Sequence, residues 1–294
     1  MTRARAAQTG IFLAGLALAA ALDRALAPGL WGQALILAPA VAILGLPHGA
    51  LDLPVAETLW PLATRTDRAR FLAAYLGLAA GVALLWWVAP GPALMAFLAY
   101  SALHFAGDWE GEGHLAQAAG GVSAIGAPAL MHTGEVSAIF ARLAPDAGDV
   151  VAQGLAACGV AGGILVLLCL ATADRRRLST AAEHAGIWIG ALLLPPLLYF
   201  VAYFCLLHSV RHLMQTLAAL PDRSRAARMA GAVTAVTFAG AGTAFWALFD
   251  AASVAADAVL LQTVFIGLAA LTVPHMLLVE RFRKTRAGSG APVA

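Results

Sequence analysis

The sequence predicts an all-α polytopic membrane protein, a bundle of about 8–10 transmembrane helices. The first observation is the composition, because the 294 residues are 61% hydrophobic and only 12% charged, whereas soluble proteins are about 25% charged. So few charges exclude a soluble protein and a disordered one. The second observation is that the apolar runs are long and continuous, whereas the strands of outer-membrane barrels alternate over about 10 residues. We expect a single integral domain over residues 1–294, with a short basic tail from about residue 284.

The first two spans precede a basic loop. The first runs from Ile11 to Ala27, and the second from about residue 30 to 46. The end of the first run resembles a signal-peptide cleavage site. Asp23 and Arg24 interrupt the approach to that site, so we predict an uncleaved span.

The later spans follow the same length criterion. The run from 181 to 217 is too long for one span, and Pro195-Pro196 falls near its middle. Because proline removes helix hydrogen bonds, we interpret this run as two spans or one broken span. The predicted later spans are 71–89, 93–108, 117–143, 150–173, the two parts of 181–217, 230–249 and 259–279.

The distribution of basic residues predicts the orientation. Basic clusters lie on the cytoplasmic side of membrane proteins, and an even number of predicted spans separates each cluster from the next. Both termini are therefore expected in the cytoplasm, and the protein in the inner (cytoplasmic) membrane. A single kinked span at 181–217 would break this agreement. The clusters are the N-terminus, 65–70, 175–177, 223–228 and 281–286.

Histidines concentrate near the ends of the predicted spans. An ionisable group in a span costs about 2.5–3.5 kcal/mol and is a functional candidate by default. By the orientation above, the helices that carry these histidines all run toward the cytoplasm, so the side chains share one depth. They are His48, His104, His208, His212 and His275.

The spacing of four of these histidines predicts a metal site. His208 and His212 are four residues apart, so they share one helix face and can chelate one metal. His48 precedes Asp52 by four residues, and His104 precedes a carboxylate by the same distance. A metal-bound histidine usually donates its second ring N–H to such a carboxylate. We therefore predict His48, His104, His208 and His212 as ligands, with Asp52 and Asp108 orienting them.

The spacing alone does not choose the metal, because imidazole suits zinc, copper, iron and nickel. The absence of an HExxH motif disfavours a zinc protease of that type, and a membrane desaturase would need more clustered histidines. Paired haems remain an alternative. Haem ligation gives no reason, however, for His208 and His212 to share one helix face.

Other side chains in these runs are candidates for lining the site, although ordinary packing produces similar aromatic stripes. Arg211 is expected to pair with a carboxylate such as Glu135 or Asp52. His114 and His184 are expected in solvated positions. The candidate lining residues are His275, His132, Glu135, Arg211, Phe105, Trp109, Tyr203 and Phe204.

Three sequence blocks carry a resemblance to a known family. They are GLPHGALD at 45–52, HFAGD at 104–108 and HSVRH at 208–212. In this order they resemble the Brp/Blh family of bacterial and archaeal membrane β-carotene 15,15'-dioxygenases. The resemblance implies an iron(II) enzyme that splits the central double bond of β-carotene with O2 into two retinal molecules for a microbial rhodopsin. It also implies iron ligands at His48, His104, His208 and His212.

A long apolar polyene is expected to enter such a protein sideways from the lipid bilayer. Central cleavage requires an aromatic-lined tunnel that places the middle of the chain at the metal, so positioning is the main contribution of the protein. Two alternatives stay open from the sequence. One is a haem- or metal-binding protein for electron transfer or transport, and the other is an oxygenase that acts on another carotenoid or isoprenoid.

Overall fold

The computed structural model describes residues 3–172, 178–251 and 255–288. The basic cluster at 175–177 and the end of the predicted tail lie outside these residues. The described residues form helices joined by short connections, without a strand. Its α-helices are α1 (Arg3–Leu26), α2 (Leu30–Ala40), α3 (Leu46–Gly49), α4 (Asp52–Leu59), α5 (Arg65–Val88), α6 (Pro90–Ala106), α7 (His114–Met131), α8 (Thr133–Leu143), α9 (Gly148–Ala171), α10 (Leu178–Leu193), α11 (Pro196–Phe200), α12 (Val210–Ala219), α13 (Arg223–Ala251) and α14 (Ala256–Gly288).

Seven stretches of the described chain are long and apolar enough to cross a membrane. The prediction of an all-α, multi-pass membrane bundle is therefore confirmed. The seven stretches are Arg5–Leu26, Leu30–Leu59, Arg65–Val88, Gly148–Ala171, Pro196–Ala219, Arg223–Asp250 and Ala256–Arg286.

Three of the predicted spans fall outside this set. The 17 residues of α6 and the 16 residues of α10 are shorter than the roughly 20 that a perpendicular span needs. The predicted span at 117–143 is interrupted at His132, where the backbone leaves the helical region between α7 and α8. These segments are helical, as predicted, but they fall short of the length and composition that the seven stretches share.

The predicted interruption of 181–217 is confirmed. Helix α10 ends at Leu193, and α11 begins at Pro196 with Pro195 in an extended conformation before it. Proline is tolerated in the first turn of a helix because its missing N–H has no helical partner there. The double proline therefore ends one helix and starts the next.

Two π-helical segments interrupt the regular helices in the part of the chain that the structure describes. One spans Val41–Gly45, just before His48, and the other spans Val201–Ser209, which contains His208. Pro47 has no N–H to donate to the carbonyl four residues earlier, which explains why the α-helical pattern fails near the first segment. π-helical turns are rare and occur often at functional sites.

The chain forms two compact units, and the first comprises residues 1–41 and 90–211. Its centre is α7, which packs against α6, α9 and α10. Small residues allow α7 and α9 to approach closely: a Cβ atom placed on Gly126 would lie 2.6 Å from the backbone nitrogen of Gly159. Such contacts between small residues are typical of membrane helices.

The second unit comprises residues 42–89 and 212–294. Within it, α14 packs along α5 and α4, and α13 packs on α14 and α3. Thr64 and Asp67 form a capping box that starts α5. The buried apolar core of this unit consists of Ala50, Leu51, Val55, Ala56, Leu220, Ala226, Ala230 and Leu278.

Candidate metal centre

In the first unit, two of the predicted ligands lie side by side. His104 lies in the last turn of α6, and His208 lies in the second π-helical segment. Their ring centroids are 4.6 Å apart in an edge-to-face arrangement, and each offers a ring nitrogen within 4.8 Å of the other's. His208 is fully buried, and His104 is nearly so. These two side chains can thus present nitrogen ligands to one small volume.

A buried carboxylate fixes the ring of His208. Nδ1 of His208 lies 3.1 Å from Oδ1 of Asp108, and the hydroxyl of Tyr203 donates to Oδ2 of Asp108 at 2.8 Å. Because a carboxylate accepts hydrogen bonds, Nδ1 carries the proton of the neutral ring and Nε2 carries the lone pair. Nε2 is therefore the nitrogen of His208 that could hold a metal. The spacing had associated Asp108 with His104, whereas these contacts connect it to His208.

The π-helical geometry explains how Tyr203 and His208 reach the same carboxylate. The two residues are five positions apart, and the hydrogen bonds of a π-helix connect residues five apart. In an α-helix, which has 3.6 residues per turn, they would diverge by roughly 140°. The wider turn therefore places both side chains on one face.

The second unit contains three clustered histidines. The ring centroid of His48 lies 6.0 Å from that of His212 and 5.3 Å from that of His275. The centroids of His212 and His275 are 6.1 Å apart. Nδ1 of His48 donates to the main-chain oxygen of Gly45 at the end of the first π-helical segment. The backbone therefore sets the orientation of the His48 ring.

The carboxylate of Asp52 also has a partner that the spacing did not indicate. Oδ1 of Asp52 accepts from Nδ1 of His275 at 2.7 Å, and Oδ2 accepts from the hydroxyl of Tyr75 at 2.7 Å. The spacing had associated Asp52 with His48. Helical periodicity detects only neighbours along one helix, and His275 is contributed by the distant helix α14.

Arg211 pairs with a carboxylate, as expected, but the partner is Glu183 rather than Glu135 or Asp52. Its guanidinium donates to Glu183 at 2.6 and 3.3 Å and to the main-chain oxygen of Asp108 at 2.9 Å. Arg211 is 2% exposed and Glu183 is fully buried. The pair therefore anchors the backbone of the carboxylate that holds His208.

Sequence reasoning missed Glu183 and misplaced the residue after it. His184 was expected in a solvated position, but it is fully buried, and its ring lies 5.1 Å from that of Trp109. Glu183 and His184 both belong to α10, which lies in an apolar run that the sequence predicts as part of a span. The cost of an ionisable group in such a run, which singled out the other histidines, was also the available signal for Glu183 and His184.

The other candidate lining residues divide into two groups. Phe105 and Phe204 flank His208, with ring centroids 4.9 and 5.6 Å from it. His132 instead donates from Nε2 to the main-chain oxygen of Ala191 at 2.9 Å, and its Nδ1 lies 3.4 Å from Glu135, which is half exposed. The structure thus gives these last two residues partners of their own at the junction of α7 and α8.

The chain is similar to proteins of a known family. The family described as "Beta-carotene 15,15'-dioxygenase" matches residues 39–283. A beta-carotene 15,15'-dioxygenase from an uncultured marine bacterium is 34% identical over 254 residues, which cover 82% of this chain and 90% of the relative. A probable beta-carotene 15,15'-dioxygenase, Blh, from Halobacterium salinarum is 30% identical, with a match that covers 82% of this chain and 83% of that protein. No solved structure matches the chain significantly.

Proposed function

Because the chain belongs to the beta-carotene 15,15'-dioxygenase family, we propose that it cleaves the central double bond of β-carotene with O2 to give two molecules of retinal. Family membership carries this conclusion, since the matched region of residues 39–283 includes every candidate ligand. The multi-pass helical fold fits a substrate that dissolves in lipid rather than in water.

We further propose that the enzyme uses iron(II), held by His48, His104, His208 and His212. A ligating nitrogen lies about 2.1 Å from a metal, so two imidazoles on one metal have centroids about 4.5–6.5 Å apart. The pair in each unit satisfies this range, at 4.6 Å for His104 with His208 and 6.0 Å for His48 with His212. Neutral imidazoles are also a donor set that iron accepts. Bound iron(II) would supply the redox chemistry through which O2 attacks an alkene.

The side chains around His208 prepare it for this role. Asp108 keeps the proton on Nδ1, so that Nε2 remains the coordinating nitrogen. The hydroxyl of Tyr203 and the backbone anchor at Arg211 hold that carboxylate in place. The faces and edges of Phe105 and Phe204 cover the ring and exclude water from it. Positioning of the polyene, rather than proton transfer, is the main task left to the protein.

The surroundings of the enzyme follow from the same proposal. Large apolar side chains are widely exposed, for example Trp87 at 84%, Val236 at 73% and Leu103 at 70%, which fits contact with lipid tails. We place the protein in the inner membrane, where β-carotene enters sideways from the bilayer. The retinal product is a suitable ligand for a rhodopsin in the same membrane.

Expression in a bacterial host that accumulates β-carotene tests the proposal. We expect the colour to bleach and chromatography to give retinal as the sole retinoid. The purified protein should contain iron, and it should lack the Soret band that a haem protein would show. Unchanged β-carotene, with folded and iron-loaded protein in the membrane, would contradict the proposed substrate. Longer or shorter apocarotenals would contradict central cleavage.

A further inference from the structure

His275 has no role in the four-histidine site, yet its surroundings are those of a metal ligand. It lies in α14 next to Pro274 and is only 4% exposed. Burying a histidine in an apolar helix costs free energy unless its nitrogens form hydrogen bonds or bind a metal. Nδ1 of His275 donates to Asp52 at 2.7 Å, and this hydrogen bond fixes the orientation of the ring.

The second unit repeats an arrangement found in the first. In the first unit, Asp108 accepts from Nδ1 of His208 and from the hydroxyl of Tyr203. In the second, Asp52 accepts in the same way from Nδ1 of His275 and from a tyrosine hydroxyl, that of Tyr75. Each aspartate also follows a predicted ligand histidine by four residues. By this correspondence, His275 is the counterpart of His208.

We propose that His275 is a further ligand of the metal, coordinating through Nε2, with Asp52 as the residue that orients it. The carboxylate holds the proton on Nδ1 and leaves the lone pair on Nε2, as a coordinating histidine requires. The inference rests on the proposed metal centre and extends its ligand set.

The geometry within the second unit supports this assignment. His48 and His275 offer ring nitrogens within 4.8 Å of one another. The centroid separations among His48, His212 and His275, 5.3–6.1 Å, fall within the range expected for imidazoles on one metal. A purely structural histidine that braced α14 through Asp52 would have no reason to keep these distances to two other histidines.

Replacement of His275 tests the proposal through metal binding rather than activity. The two main variants are His275→Ala and His275→Gln, the second of which keeps most of the volume and a hydrogen bond to Asp52. A third variant, His275→Gly, leaves room for free imidazole and serves as a rescue test. His114→Ala is the matched control, because His114 is exposed at the start of α7. Iron(II) affinity is measured by competition with a chelator on the purified, detergent-solubilised full chain. X-ray absorption counts the imidazoles bound to the metal.

We expect both His275 variants to bind iron at least 10–100-fold more weakly, the loss typical of even an orienting residue, and to have one imidazole fewer on the metal. His275→Gly should regain affinity when free imidazole is added, and His114→Ala should match the wild type. Asp52→Asn should weaken binding while the imidazole count stays unchanged. Folded His275→Gln with wild-type affinity and imidazole count would overturn the inference. Failure of the wild type to bind iron would instead overturn the proposed metal centre.

Discussion

At the scale of single residues, two buried carboxylates determine which ring nitrogen of His208 and of His275 carries the proton. Asp108 and Asp52 each accept from an Nδ1 atom and from a tyrosine hydroxyl. The spacing of the sequence identified both carboxylates and their helical neighbours His104 and His48. It could not identify their hydrogen-bonded partners, because these come from helices far along the chain.

The substitution Asp108→Asn tests whether the carboxylate of Asp108 determines the protonated nitrogen of His208. The amide keeps the shape of the side chain but loses the charge that holds the proton on Nδ1 of His208. We expect iron affinity to fall about 10–100-fold, measured by chelator competition. Tyr203→Phe, which removes one hydrogen bond to the same carboxylate, should have a smaller effect. Equal affinity of Asp108→Asn and wild type would show that the carboxylate does not tune the ligand.

The buried ion pair of Arg211 and Glu183 predicts an asymmetric pattern of stability. Arg211→Ala leaves a buried carboxylate without its main partner, and we expect a loss of about 3 kcal/mol in the free energy of unfolding. The double variant Arg211→Met with Glu183→Leu should recover most of this loss, since it removes both charges. Unfolding in mixed detergent micelles measures the two values. A double variant as unstable as the single one would contradict this explanation.

At the scale of secondary structure, the sequence predicts the helix break at the double proline but not the π-helical segment that follows it. Pro195-Pro196 divides α10 from α11 as expected, because proline acts through local sterics that are visible in the sequence. The π-helical segment at Val201–Ser209 has no such local marker. It is accompanied by contacts with Asp108, which a linear pattern does not contain.

The contact between α7 and α9 predicts a contrast between two glycines of one helix. Gly159→Ala places a methyl group against the backbone of α7, and overpacking of this kind costs about 1–3 kcal/mol. Gly154→Ala, five residues earlier on α9, meets no atom within 4 Å and should be neutral or slightly stabilising. Thermal unfolding of both variants in detergent provides the comparison. Similar melting temperatures would exclude a close backbone contact here.

At the scale of the whole molecule, the number of membrane crossings determines where the termini lie. The sequence predicts ten spans and cytoplasmic termini, whereas seven stretches among the described residues have the length and composition to cross. Ten crossings place both termini on one side, and seven place them on opposite sides. The shorter helices α6, α7 and α10 therefore decide the topology.

Reporter fusions at the two ends of the chain distinguish these cases. We expect cytoplasm-active reporters at both termini, because the basic clusters lie an even number of predicted spans apart. Internal fusions after Leu62 and Asp222, beside two of these clusters, should behave alike and serve as controls. A periplasmic C-terminus together with a cytoplasmic N-terminus would contradict the ten-span topology.

The widened helix at Val201–Ser209 has a consequence for how this region tolerates insertions and deletions. One residue of an α-helix advances the helix by about 100°. Deleting Leu206 would let the wide turn relax to an α-helix, in which four residues separate Tyr203 from His208 by about 400°, so the two side chains would still share one face. Inserting one residue would instead rotate His208 by roughly 100° away from Tyr203. A one-residue deletion in this segment should therefore weaken iron binding far less than a one-residue insertion, and chelator competition on the two variants measures the difference. In this region, the protein is expected to tolerate the loss of one residue better than the gain of one.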